Sequence, residues 1–217
     1  MSTKLTTILV SIIILVSVIA GVVVYDLLPD PMASHWGPKD QVDGYMSKFW
    51  GVFMMPLVSL GMFLVFLAVP HLDPLKENIA KFREAFNLFI LVIILFLGYI
   101  WKLTIFWNLG WTFFKMSTAI LPAMGLLFFF IGYMLRKAKR NWFIGIRTPW
   151  TLSSDSVWDE IHRLGATLFM ISGVVAIFGV FFGSNAIWFI LVPVLGTTFF
   201  LYIYSYILYQ REIKLAE

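Results

Sequence analysis

The sequence contains no cysteine and few charged residues. Without cysteine, disulfides, thiolate metal sites and thiol nucleophiles are excluded. Charged residues make up only 13% of the 217 positions and hydrophobic residues 60%, whereas a typical soluble domain is about a quarter charged and roughly half apolar. This composition excludes a soluble single domain. It predicts an all-α, polytopic integral membrane protein, because the length allows about six crossings of a bilayer.

Ionisable groups are also missing from the middle of the apolar windows. No Asp, Glu or His lies there, and the three histidines fall in three separate loops. Ion-coupled carriers, intramembrane proteases and metal-dependent membrane enzymes need such groups at membrane depth. The sequence therefore predicts no catalytic residue, no metal site and no cofactor.

Six apolar windows are each long enough to cross the membrane as a helix. They cover residues 5–24, 49–70, 85–107, 116–135, 164–182 and 185–209. The first window lacks a small-residue cleavage site, so we expect a retained helix that also directs insertion, with an uncleaved signal as the alternative. Prolines 56, 122 and 193 interrupt the even-numbered windows and favour kinks. Glycines at 165, 173, 179 and 183 predict close helix packing in the fifth window, within the bundle or between two copies.

Basic residues separate by side of the membrane in this arrangement, and Lys and Arg accumulate in cytoplasmic connections. The first and third loops carry three, Lys39, Lys48 and Lys115. The N-terminus, the second and fourth loops and the tail carry twelve: Lys4, Lys76, Lys81, Arg83, Arg136, Lys137, Lys139, Arg140, Arg147, Arg163, Arg211 and Lys214. The sequence therefore predicts that both termini are cytoplasmic.

Lys102 is the one formal charge inside a window, five residues before the end of the third. It has two interpretations. In the first, its long side chain reaches the headgroups among interfacial aromatic residues. In the second, it faces a cavity, where it holds an anionic group or pairs with a carboxylate such as Asp26.

The first loop, residues 26–48, lies outside in this topology. Its prolines and glycines exclude a long helix, and the pair Asp43-Gly44 predicts a tight turn. Trp36 and Tyr45 indicate that the loop folds back onto the bundle or the headgroups. Four aspartates against two lysines give a charge of minus two. Such a surface can attract a cationic ligand; a plain solvated turn is the alternative.

The fourth loop, residues 136–163, lies inside and begins with a basic cluster suited to anionic headgroups. Residues 141–152 are too apolar for a free loop and too interrupted by glycine and proline for a crossing. We expect a re-entrant or interfacial segment here, between the fourth and fifth spans. Ser153 or Ser154 can cap a short helix that continues through Trp158 and His162 into the fifth span. Asp159 and Arg163 are spaced as an i, i+4 pair.

Residues 140–153, RNWFIGIRTPWTLS, followed by Val157-Trp158 and residues 162–165, closely resemble the signature of the SdpI family of bacterial membrane immunity proteins. The first helix and loop resemble the N-terminal membrane domain of unknown function that often accompanies it. On this basis we divide the chain into three parts. Residues 1–75 form the N-terminal membrane domain, residues 76–115 the third helix with its connections, and residues 116–217 the SdpI-like domain.

The resemblance implies a multi-pass protein of the bacterial plasma membrane that binds and neutralises an extracellular, membrane-active peptide toxin. It further implies a receptor role, in which the occupied protein holds a cytoplasmic transcriptional repressor at the membrane; neither role needs catalysis. The candidate toxin-facing residues are His35, Trp36, Asp40, Asp43, Gly44, Tyr45, Ser47 and Lys48. The candidate cytoplasmic motif, which either faces a partner or supports the structure, comprises Arg140, Asn141, Gly145, Arg147, Thr148, Pro149, Trp150, Trp158, His162 and Arg163.

Two other functional classes stay open at this stage. A small-molecule or lipid transporter or flippase could use the kinked even helices and Lys102 as a path, although it lacks a carboxylate within the membrane. An enzyme could set His162, Arg140 and Arg147 on a lipid phosphate, although no nucleophile or metal ligands accompany them. For the structural alternative, Asn141, Arg147 and His162 would satisfy one another and free backbone groups in a buried turn.

Overall fold

The computed structural model describes residues 1–37 and 39–216, and within them six helices long and apolar enough to cross a membrane. The predicted all-α, six-span architecture is thereby confirmed. The helices are α1 (Thr3–Val24), α2 (Lys48–Leu72), α3 (Lys76–Lys81), α4 (Arg83–Asn108), α5 (Met116–Lys137), α6 (Pro149–Ser153), α7 (Asp155–Phe178) and α8 (Trp188–Ala216). The six spans are α1, α2, α4, α5, α7 and α8. Short 3-10 turns follow α1 at Tyr25–Leu27 and α7 at Gly179–Asn185.

Polar contacts gather the connections at two ends of the bundle. The Asn87 amide at the start of α4 donates to the carbonyl of Met1, and the Asn78 amide on α3 donates to the carbonyl of Arg140. Ser154 and Ser156 donate to the Glu212 carboxylate near the end of α8. The N-terminus, α3, residues 138–154 and the end of α8 therefore share one end, which we call the motif end. Which side of the membrane it faces stays a prediction.

A two-stranded antiparallel hairpin occupies the opposite end, which we call the hairpin end. Its strands are β1 (Met32–Trp36) and β2 (Val42–Met46), with Met32 opposite Met46 and Trp36 opposite Val42. The prediction of a tight turn at Asp43-Gly44 is wrong, because both residues lie within β2 and the chain reverses between Gly37 and Gln41. Gly44 is needed for its small size, since a Cβ there would lie 2.8 Å from the Cβ of His35 across the ladder.

Pro56, inside α2, leaves one backbone carbonyl without its helical partner, and a side chain of α4 supplies a new one. Proline has no N–H, so the carbonyl four residues earlier, that of Val52, loses its helical partner. In this structure the buried Trp101 indole of α4 donates to the Val52 carbonyl at 2.7 Å. This bond joins the second and third spans at a depth where water cannot replace it.

Glycines bring α5 and α7 into backbone contact. A Cβ at Gly125 would lie 2.5 Å from the carbonyl of Gly173, and a Cβ at Gly132 would lie 2.5 Å from the carbonyl of Ala166. Close packing within the bundle was predicted for the fifth window, and Gly173 provides it. Gly179 also packs closely, because a Cβ there would lie 2.9 Å from the Cβ of Phe189 and 3.1 Å from the carbonyl of Ala186. Gly179 and Gly183 lie in the 3-10 turn beyond α7, and Gly183 has open space around it.

The contact between Trp101 and Val52 can be tested by a double-mutant cycle. We expect Trp101→Phe to destabilise the protein by about 1–2 kcal/mol, because the Val52 carbonyl is left buried without a donor. In a Pro56→Ala background, the helical N–H at this position is restored, so the same change should cost less than half as much. Thermal unfolding in detergent measures both. Equal costs in the two backgrounds would show that the indole does not serve the freed carbonyl.

Candidate functional site

The hairpin is fixed to the bundle by the last residue of α4. The Asn108 side chain pairs with the backbone of Ala33, accepting its N–H at 2.8 Å and donating to its carbonyl at 3.0 Å. The Asn108 amide thus makes the two hydrogen bonds that a neighbouring strand would make at the edge of β1. Asn108 was not among the predicted site residues. Its only signal in the sequence is that a polar amide follows the third apolar window.

Asp40, at the reversal of the hairpin, holds the start of α5. Its carboxylate accepts the Ser117 backbone N–H at 2.8 Å and the Ser117 hydroxyl at 2.7 Å. The N-cap residue of α5 is Lys115, which provides no side-chain cap, so Asp40 supplies one from elsewhere in the chain. A negative charge is also favoured at the positive end of a helix dipole. Asp40 has a positive φ of 60°, and in this backbone conformation its carboxylate points towards the start of α5.

Between the hairpin, α4, α5 and the start of α8 lies a cavity of about 450 Å³. Its polar lining residues are Ser34, His35, Asp40, Thr104 and Ser117. Its apolar lining residues are Met55, Ile100, Met116, Ile120, Leu121, Met124, Ala186, Ile187 and Ile190. A concave apolar site with a few convergent polar groups is the usual form of a ligand-binding site.

Trp36 contributes its ring to the lining of the cavity. The ring packs edge-on against Trp107, with the centroids 5.7 Å apart. The indole Nε1 is buried and has no acceptor among the residues that the structure describes. Because this nitrogen has almost no accessible surface, a ligand in the cavity reaches it only if the ring moves.

The structure brings only some of the predicted toxin-facing residues to this cavity. His35, Trp36 and Asp40 line it. Asp43 accepts from the exposed His35 ring at 2.5 Å, and Gly44 lies opposite His35 in the ladder. The remaining three lie elsewhere: Tyr45 is exposed on β2, Ser47 precedes α2 as its N-cap, and Lys48 lies 5.3 Å from the Tyr25 ring.

Lys102 is placed as the headgroup interpretation expects. Its side chain is exposed and its ammonium lies 5.5 Å from the centre of the Tyr99 ring. It does not line the cavity at the hairpin end. In the described part of the chain, no carboxylate lies within 4 Å of it, so the pairing with Asp26 is wrong. The transporter alternative therefore loses Lys102 as the charge that would line its path.

At the motif end, Asn141 organises the irregular chain after α5. Its amide donates to the carbonyls of Lys139 and Ile144, both at 2.8 Å, and its oxygen accepts from the N–H groups of Phe143 and Ile144. The residue is completely buried. All of its hydrogen-bonding groups are therefore used to hold the backbone in a compact turn.

His162 and Trp158 pack against one side of this turn. Their rings stack with centroids 3.9 Å apart, and the Trp158 indole donates to the Ala138 carbonyl. His162 Nε2 accepts from the Ile146 N–H, so Nδ1 carries the proton that bonds the Trp158 carbonyl. Gly145 lies directly above, with φ of 118° and no room for a Cβ against His162 Nε2.

The other motif residues join this turn to neighbouring helices. Arg140 donates to the Leu152 carbonyl and lies 2.7 Å from the Asp155 carboxylate. Thr148 caps α6, in which Pro149 is the first residue, and also donates to Ser205 on α8. Trp150 packs against Tyr202 and Tyr206 of α8. Arg147 donates to the Trp142 carbonyl and is otherwise exposed.

The structural alternative for this motif predicted hydrogen bonds to backbone groups, which are present, and hydrogen bonds among the three residues, which are not. Asn141, Arg147 and His162 do satisfy backbone groups, but none of them bonds another. Ser154 is the cap of α7, as expected. The predicted pair of Asp159 with Arg163 is wrong. Asp159 lies 3.1 Å from Lys139, and Arg163 pairs with Glu160 one turn away.

Asp73 is the member of the motif end that sequence reasoning did not assign to a site. It is 2% exposed and accepts from the N–H groups of Leu75 and Trp142 at 2.6 and 2.8 Å. This carboxylate ties the end of α2 to the turn around Asn141. It follows His71-Leu72 directly, at the end of α2.

Comparison with known proteins supports the family resemblance of the sequence. Residues 137–205 match the model of the SdpI/YfhL protein family, and residues 12–60 match a domain of unknown function, DUF1648. The immunity protein SdpI of Bacillus subtilis is 27% identical over 203 residues, which cover 92% of this chain and 94% of that protein. No solved structure matches the chain. The resemblance to the SdpI family is confirmed, and the chain is a multi-pass protein of the bacterial cell membrane.

The supporting role of the motif predicts a contrast between two of its residues. Asn141→Ala removes four buried hydrogen bonds, and we expect a loss of at least about 3 kcal/mol, because each stranded buried group costs about 1–3 kcal/mol. Arg147→Ala removes one bond of an exposed side chain and should cost less than about 1 kcal/mol. Membrane protein level and thermal unfolding in detergent measure both. A stable, fully expressed Asn141→Ala protein would contradict the supporting role.

Proposed function

We propose that this chain is a membrane immunity protein that captures an extracellular, membrane-active peptide toxin in the cavity at the hairpin end. The carrying observation is that cavity, about 450 Å³ in volume, whose lining is largely apolar and includes a few polar side chains. The similarity to an immunity protein over nearly the whole chain supports the biological role. Capture needs no bond to be made or broken.

The charge distribution supports an outward-facing cavity. Twelve of the 16 basic residues lie in segments grouped at the motif end, whereas Lys39, Lys48 and Lys115 lie towards the hairpin end. Because basic residues accumulate on the cytoplasmic side, the motif end is cytoplasmic and the hairpin faces the outside. A toxin arriving from outside meets the exposed His35 and the rest of the hairpin first.

The cavity suits a peptide that is amphipathic. A large apolar side chain can enter between Ile120, Met124 and Ile187, where its burial contributes about 1.5–3 kcal/mol. The peptide backbone then meets the polar side chains of the lining, among which Ser34, His35 and Thr104 carry hydrogen-bonding groups. A peptide held in this way keeps its apolar side chain out of the bilayer, which is how capture neutralises it.

In the same proposal, the cytoplasmic motif mainly supports the helices that form the cavity. Its polar groups are occupied by backbone partners. The exposed parts include the Trp142 ring, the Phe143 ring and the guanidinium groups of Arg147 and Arg163. A cytoplasmic repressor, as implied by the resemblance, would have to bind this exposed part.

Filling the cavity tests the proposal. Ile120→Trp places an indole in the cavity and leaves the hairpin contacts intact, so we expect at least a tenfold loss of toxin affinity and of protection. Leu126→Trp is the matched control, because Leu126 lies on the same helix with 54% of its surface exposed and outside the cavity. Survival of toxin-sensitive cells that express each variant at equal membrane levels provides the measurement.

Two results would contradict the proposal at different points. Full protection by Ile120→Trp would exclude the cavity as the capture site but leave the immunity role standing. Unchanged killing of cells that express the native sequence, across a set of related peptide toxins, would exclude the immunity role itself.

A further inference from the structure

A second concave site lies at the motif end, where α5 ends and α7 begins. Its volume is about 250 Å³, and three cationic side chains line it: Arg136 from the last turn of α5, Lys139 just after that helix, and Arg163 from α7. It lies across the protein from the cavity of the hairpin end and shares no residue with it.

The depth of this site is that of the lipid headgroups. Arg136 directly follows the apolar window 116–135, and Arg163 directly precedes the apolar window 164–182. Two guanidinium groups therefore flank the boundary between hydrocarbon and water, on neighbouring helices held together by glycine contacts. Guanidinium groups bind phosphate oxygens through paired hydrogen bonds.

The cations of this site are available to a ligand. Arg136 has no carboxylate within 4 Å among residues 1–37 and 39–216. Lys139 pairs with Asp159, and Arg163 pairs with Glu160, through side chains that are 37–68% exposed. Such exposed ion pairs are weak and exchange readily for another anion. His162 also lines the site, but both of its ring nitrogens are already bonded, so it contributes only ring surface.

An apolar surface continues from each arginine into the membrane. On α5, Phe129 and Tyr133 precede Arg136 by seven and three residues, which places all three on one face of the helix. On α7, Thr167 and Val174 follow Arg163 by four and eleven residues and lie on one face in the same way. All four are exposed, Phe129 to 41% and Val174 to 44%. The two faces flank the seam between α5 and α7.

We propose that this site binds the phosphodiester headgroup of one anionic phospholipid, with its acyl chains along the seam between α5 and α7. Charge complementarity selects an anionic lipid, since three cations face one carboxylate, Asp159, within the lining. The apolar faces select a lipid over a free phosphate. Phosphatidylglycerol is the simplest lipid with this chemistry.

Lipid titration of the purified full-length protein in detergent, followed by native mass spectrometry, tests this proposal. We expect one phosphatidylglycerol per chain to bind in preference to phosphatidylcholine. Arg136→Gln with Arg163→Gln should weaken this binding about 25-fold, at about fivefold per cation. Asp159→Asn should strengthen it several-fold, because it removes the one negative charge of the lining.

The matched control is Lys137→Gln with Arg211→Gln, which removes two exposed cations that do not line the site. It should change the affinity less than twofold. An equal loss in this control would overturn the proposal in favour of general surface charge. Equally strong binding of glycerol phosphate would overturn it in favour of a free phosphate ligand. Lipid-independent dimers that occlude the site would assign the seam to a second copy of the chain.

Discussion

The structure depends on one constraint, that a buried backbone N–H or carbonyl in or near the hydrocarbon must find its partner within the protein. At three places where the chain departs from a regular helix, a polar side chain supplies that partner. The Trp101 indole serves the carbonyl freed by Pro56, and the Asn108 amide serves the open edge of β1. Asn141 does the same for the turn after α5. Polar residues that look like a functional constellation in the sequence are in part the means by which irregular backbone is kept at membrane depth.

The two candidate sites share α5 and use its opposite ends. Residues from Met116 to Met124 line the hairpin-end cavity, and residues from Leu135 to Lys139 line the cationic site. Between them, glycines bring the backbones of α5 and α7 together. A pair packed this closely has little room to slide, so it acts as a rigid frame for both sites.

Local patterns predicted what is local in this chain. The six spans follow from the apolar windows, and the cap of α7 follows from Ser154 just ahead of Trp158. The pairings that build the sites are not local. Asp40 meets Ser117 across 77 positions, and Asp73 meets Trp142 across 69. Hydrophobic periodicity does not reveal such pairs. The turn predicted at Asp43-Gly44 is wrong because Gly44 lies within β2, where its small size leaves room for His35 on β1.

The bonds of Asp40 and Asp73 also bear on how the protein is made. Both carboxylates belong to the first half of the chain, and both bind backbone N–H groups of the second half, one at each end of the bundle. During synthesis the earlier helices emerge first, so these two acids are inserted before the segments they bind. The segments that carry Asp40 and Asp73 are therefore synthesised before the segments that bind them. The start of α5 and the turn before α6 acquire their final geometry only against helices already in the bilayer.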